Sequence, residues 1–151
     1  MLNTIGYEGA SLVDFLDTLE AAEVQVLVDV RDRAQSRKKG FSKTALSNAL
    51  SERGIRYVHF RELGDPKEGR EAARKGDWKT FDKIYRQVML SDSAKSAISS
   101  ITNIIKLENA CLLCYERDHT SCPRKYISDH IDQNTGSKTR HLGVRKIAKA
   151  A

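Results

Sequence analysis

A chain of 151 residues, 40% hydrophobic and 30% charged, has the size and balance of one globular domain able to bury a real core. No apolar run approaches the roughly 18–20 residues that span a bilayer, and the opening MLNTIGYEG lacks the basic start and apolar stretch of a secretory signal, so no membrane association is expected. The net charge of +6 suits a polyanionic partner, either nucleic acid or a phosphate-bearing small molecule, and three cysteines without a secretory signal point to reduced thiols in the cytoplasm.

In chain order, Thr4–Tyr7, preceded by Leu2, reads as a short strand. Ser11 is placed to cap a helix carrying Leu12, Phe15, Leu16 and Leu19, with Asp14 three residues on. Val24–Val30 (VQVLVDV) is a near-continuous β-branched run, the pattern of a strand covered on both faces. Ser42 opens a second helix through Leu46, Ala49 and Leu50, closed by Gly54. Ile55–Phe60 is a third strand. Arg61–Asp77 has no apolar period and reads as a loop or mobile flap. Asp77 caps a helix with Trp78, Phe81, Tyr85 and Val88, and a further helix runs from about Ser93 to Glu108. Ala110–Tyr115 is a fourth strand, and a last helix starts near Cys122 and ends at Gly136. The expectation is a single α/β domain over residues 1–136, a mostly parallel sheet of about four to five strands flanked by helices, followed by a basic tail over 137–151. Ligands of such sheets bind beyond the carboxyl ends of the strands.

Three segments are more polar than strand ends require. In TIGYEG, Tyr7 and Glu8 sit at the edge of the first strand. In DVRDRAQSRKKGF, Asp29 lies inside an apolar strand, where a carboxylate needs a partner, and Arg31 points to the same side. This is either a structural Asp–Arg pair or an arginine fork for an anion; Ser36 and Arg37 add a phosphate-facing composition on the loop. Tyr57 and His59 come from the third strand. In LLCYERDHTSCPRKY, Cys114 and Glu116 share one face of a strand end, beside Arg117. Pro123 suits the first helical position and puts Cys122 at the N-cap, beside Arg117 and Arg124, where a thiol is acidified. Cys111–Arg117 has C-x5-R spacing, but its intervening residues form a strand and not a phosphate cradle. Cys111 and Cys114 face opposite sides of that strand. A zinc set of Cys114, Cys122 and His119 fits no common structural spacing, so no metal is assigned and no cofactor is expected.

Taken together, TIGYEG, VDVR, SRKKGF, YVHFRELG and LLCYERD followed by CPRKYI resemble the family called domain of unknown function 488, over about residues 1–132. The resemblance implies a compact α/β domain with one site shared by those segments, and no reaction. The family pattern usually reads Cys-His-Arg where this chain has Cys122-Pro123-Arg124, so a histidine-dependent mechanism is not expected.

The leading expectation is an enzyme acting on nucleic acid or a nucleotide-like phosphate compound, cleaving a phosphodiester or glycosidic bond. In it Glu8 or Glu116 serves as acid or base and Cys114 or Cys122 as nucleophile or shaping group. Arg31 and Arg37 hold the anion, and Tyr7 and Tyr57 stack on a base or close the pocket, with Asp29, Ser36, His59, Arg117 and Arg124 around them. The alternatives are a non-catalytic nucleic-acid-binding module and a metal- or small-molecule-binding protein.

Overall fold

A computed structural model describes residues 1–144. The strands are β1 (Leu2–Gly6), β2 (Val26–Asp29), β3 (Arg56–His59), β4 (Ala110–Cys114) and β5 (Arg140–Leu142). The helices are α1 (Leu12–Ala21), α2 (Lys43–Glu52), α3 (Lys67–Arg74), α4 (Trp78–Leu90), α5 (Asp92–Leu107) and α6 (Pro123–Thr135). All strand pairings are parallel, in the order β3-β2-β4-β1-β5.

Period-two alternation divides the core into two layers. Val26, Val28, Leu112 and Cys114 face α5 and α6 through Ala97, Ile98, Ile101, Ile127 and Ile131. Ile5, Leu27, Cys111 and Leu113 face α1 and α2 through Phe15, Leu19, Leu46 and Leu50. The chain therefore leaves β1 and β2 towards one face of the sheet and leaves β4 towards the other. Since β4 lies between β1 and β2, its carboxyl end is where the connections diverge, and a crevice opens there.

Local sequence explains most of the boundaries. Ser11 accepts from the Asp14 N–H and Asp77 from the Thr80 N–H, as N-caps do. Ser42 precedes α2 but makes no cap bond; its hydroxyl is engaged with the backbone of Ser36 instead. Gly54 and Gly136 end their helices at φ of +72°.

Two expectations are corrected. Residues 61–77 are not a loop: a 3₁₀ turn covers Arg61–Leu63 and α3 follows it. α3 (KEGREAAR) buries only Gly69 and Ala72, too little for an apolar period, and packs through Ala72 beside Phe81 and Tyr85. Pro66 at its start, Glu68 in its first turn and Arg74 in its last were the available signals. The Tyr85 hydroxyl donates to the Leu63 carbonyl at 2.7 Å and pins this segment to α4. In addition, Arg140–Leu142, read from sequence as part of the basic tail, form β5, which pairs with β1. Arg145, Lys146 and Lys149 lie outside the described residues.

Asp29 is fully buried at the end of β2, and Arg31 is 7% exposed. The Asp29 carboxylate accepts from Arg31 Nε (3.0 Å), Arg31 Nη2 (2.8 Å), the Arg31 backbone N–H (3.0 Å) and the Tyr57 hydroxyl. Arg31 Nη1 donates to the Phe41 carbonyl (2.7 Å) and to the Tyr7 hydroxyl (3.3 Å), and His59 Nε2 donates to the Arg31 carbonyl (2.7 Å). Removing one member of a buried pair strands the other charge, at about 3–5 kcal/mol. Asp29→Ala is expected to lose that much stability in urea denaturation; a loss below about 1 kcal/mol would show that Arg31 finds another partner.

Candidate active site

The crevice at the end of β4 has a volume of about 260 Å³ and is lined by residues from three strand ends, from the turn before α3 and from α3 itself. β1 contributes Tyr7, β2 contributes Arg31, Asp32, Arg33 and Gln35, and β4 contributes Cys114, Tyr115 and Glu116, with Asp65 and Arg70 across from them. Three acids thus meet there, each beside a glycine that leaves no room for a side chain. A Cβ on Gly6 would lie 1.8 Å from the Glu116 carbonyl oxygen, one on Gly64 2.2 Å from the Asp32 Cα, and one on Gly69 2.0 Å from Asp65 Oδ1. The glycines let the loops after β1 and β3, and the first turn of α3, close onto the acid-bearing segments.

The acids differ in their partners. Asp32 accepts from Arg70 Nη1 at 3.0 Å, and the same nitrogen donates to the Asp65 carbonyl at 2.8 Å. Asp65 Oδ1 is buried with no hydrogen-bond partner among the described residues. Burial pushes the Asp65 carboxyl up to about 7; the Glu116 and Asp32 charges add to the rise and Arg70 opposes it. Burial also raises the Glu116 carboxyl above its usual range, against the pull of the Cys114 thiol and of the Arg124 charge. Two carboxyls held towards their protonated forms in one hollow are suited to acid–base work.

Beneath Glu116 lies a sulfur pair. The Cys114 thiol donates to Cys122 Sγ at 2.7 Å, and Arg124 Nε donates to the same sulfur at 3.0 Å. Arg124, only 1% exposed, also donates to the Glu116 carbonyl and to Thr4 Oγ1. Burial opposes ionisation of Cys122, but the Cys114 thiol and Arg124 outweigh it and hold its pKa below the ordinary thiol value. Cys114 moves the opposite way, raised by burial and by its neighbour. The donor atoms of Cys114, Glu116 and Cys122 lie within 4.8 Å of one another, a group that could hold a soft divalent cation. His119 is not part of it: its ring stacks on His141 with centroids 3.5 Å apart.

The remaining expected residues fall outside the hollow or are engaged within the protein. Tyr7 stacks on Phe41 (4.6 Å between centroids) and meets Tyr115 edge-on, so its faces are covered by protein. Tyr57 and Arg31 are committed to Asp29. Glu8 is exposed, and its Oε1 accepts from the Arg117 backbone N–H (3.1 Å). Arg117 Nη1 donates to the Val144 carbonyl. Ser36 Oγ accepts from the Lys38 N–H and organises its own loop, while Arg37 is exposed and lines neither the crevice nor the groove beside it.

That groove is wider, about 610 Å³, and shares Asp32, Arg33 and Gln35 with the crevice. Arg61, Lys43, His59, Ser42 and Thr44 complete it, so it holds cations and hydroxyls at the N-terminus of α2, where Ser42 makes no side-chain cap and the Lys43 N–H donates to the Ala34 carbonyl at 2.8 Å. Asp65, Arg70, Asp32 and Lys43 were missed as site residues in the sequence. The turn signal Gly64-Asp65-Pro66 marked the place of Asp65 but not its burial. A separate hollow between α4 and α6 is edged by the exposed ion pairs Arg86–Asp82 and Lys125–Asp129 and lies away from the strand ends.

The family model described as domain of unknown function DUF488 matches residues 11–131, and the chain belongs to that family. No curated protein and no solved structure matches it. No helix among the described residues is long and apolar enough to cross a membrane.

Because the folded-state pKa of Asp65, about 7, lies above that of an unfolded aspartate, about 3.9, the folded chain holds this proton more tightly. Its contribution is favourable at low pH and is lost as pH rises from about 4 to 7. Chemical denaturation across that range should show the wild type losing stability relative to Asp65→Asn. Parallel curves for the two proteins would mean that Asp65 titrates normally.

Proposed function

We propose that this DUF488-family protein is a hydrolase that cleaves the glycosidic bond of a nucleotide-like, phosphate-bearing compound. The observation that carries this reading is the pairing of Asp65 and Glu116, both raised by burial, in a crevice that opens onto a cationic groove. Carboxylates repel phosphate, so the phosphate belongs in the groove with Arg33, Lys43 and Arg61 and at the N-terminus of α2. The bond held over the carboxyls is then the glycosidic one. A hollow of about 260 Å³ admits a single sugar–base unit and not a duplex.

In this reading Asp65, half protonated near pH 7, donates a proton to the departing base. Glu116, as the carboxylate, faces the positive charge that builds on the sugar and directs the incoming water. The two share one electrostatic field, so ionising Glu116 holds the proton on Asp65. Asp29 and Arg31 act as positioning residues that hold the Asp32–Gln35 segment against the site.

The test is release of free base from nucleoside monophosphates and from single-stranded DNA and RNA oligonucleotides, followed by chromatography. Base release is expected to decline above about pH 7 as Asp65 ionises. Asp65→Asn and Glu116→Gln should each lower kcat by about 10²-fold or more without lowering the melting temperature, and Arg33→Ala should raise KM. Absence of base release from every substrate, or full activity in both carboxyl variants, would overturn the reading.

A further inference from the structure

The sulfur pair has no role in the proposed cleavage. Cys114 closes β4 and Cys122 is the N-cap of α6, so two rigid elements bring the sulfurs to 2.7 Å. Cys111 is excluded from the pair because it faces the α1 and α2 layer. Cys122 sits at the positive end of the α6 dipole, with Arg124 Nε 3.0 Å from its sulfur, the surroundings that favour a thiolate. Cys114 and Pro123 line the crevice wall, so a small solute there meets Cys114, with the Cys122 sulfur, 1% exposed, directly behind it.

We infer that Cys114 and Cys122 form a reversible dithiol–disulfide couple whose oxidant is a small hydroperoxide entering through the crevice. The Cys122 thiolate attacks the terminal peroxide oxygen, the O–O bond breaks, and with one proton from solvent the products are Cys122 sulfenic acid and an alcohol, or water from hydrogen peroxide itself. The Cys114 thiol then attacks the Cys122 sulfur. The S–S bond forms, the S–O bond breaks, and the hydroxyl leaves as water with the Cys114 proton. Overall the two sulfurs lose two electrons, and one peroxide is reduced to an alcohol and a water. An external dithiol reverses the step by thiol–disulfide exchange. Arg124 is the positioning residue: it holds the Cys122 sulfur towards Cys114 and loses its anionic partner on oxidation.

The experiment treats the full chain with one equivalent of hydrogen peroxide, then denatures and alkylates it, and reads the intact mass. Of the three thiols, two are expected to become unavailable, to return after dithiothreitol, and to appear on peptide mapping as a Cys114–Cys122 link within one chain. Cys111→Ala should leave that link intact. Cys114→Ser should trap Cys122 as a sulfenic acid captured by dimedone. Three alkylatable thiols after peroxide, or a link that uses Cys111 or a second chain, would overturn the proposal. Failure of dimedone capture in Cys114→Ser would overturn the assignment of Cys122 as the attacking sulfur. The mass readout is independent of base release, so this result stands apart from the hydrolase reading.

Discussion

The buried Asp29–Arg31 pair is the interaction on which the carboxyl edge of the sheet depends. A lone carboxylate inside β2 would carry a large desolvation penalty. Arg31 removes it by returning onto the same strand end, and Tyr57 supplies a further donor from β3. The guanidinium then reaches Tyr7 beyond β1 and the Phe41 carbonyl at the far end of the basic loop. One charge pair thus ties together β1, β2, β3 and the segment between them. That segment carries Asp32, Arg33 and Gln35, which line both the crevice and the groove. Pairs of this kind are weak sources of net stability, and their value lies in fixing one arrangement.

The crevice follows from topology combined with this pinning. β4 lies between strands whose connections run to the opposite face, so its end is left uncovered and the loops around it diverge. Small residues then decide how close the walls come. Gly6, Gly64 and Gly69 each lie against one acid-bearing segment, and a methyl group at any of them would push Glu116, Asp32 or Asp65 out of place. The result is a hollow in which the Asp65 and Glu116 carboxyls resist ionisation. Arg124 sets the floor by binding the loop after β4 and the Cys122 sulfur at once.

Much of this arrangement was legible in the sequence. The β-branched run of β2, the caps Ser11 and Asp77, and Pro123 after an N-cap Cys122 gave the elements and the strand ends that matter. The cluster of Cys114, Glu116, Cys122 and Arg124 was readable because strand period and helix start are local signals. Asp65 was not, because α3 hides in a segment whose burial rests on Gly69 and Ala72 alone, and a pKa of about 7 is a property of neighbours distant in sequence. Tyr57 illustrates the converse: residue type suggested stacking on a ligand, while its hydroxyl is committed to Asp29; for Arg31, left open in the sequence between pairing with Asp29 and holding an anion, the three-dimensional partners give the pair. β5 was missed since three residues, two of them exposed, carry no alternation that a sequence can display.

Carbon-detected NMR titration of the side-chain carboxyls tests the central claim most directly, because it observes the proposed acid itself and needs no substrate. Asp65 is expected to titrate near pH 7 and Glu116 above the usual glutamate range, and each midpoint is expected to shift when the other residue is made neutral. Independent titration of both near pH 4 would contradict the account and leave the crevice without its acid.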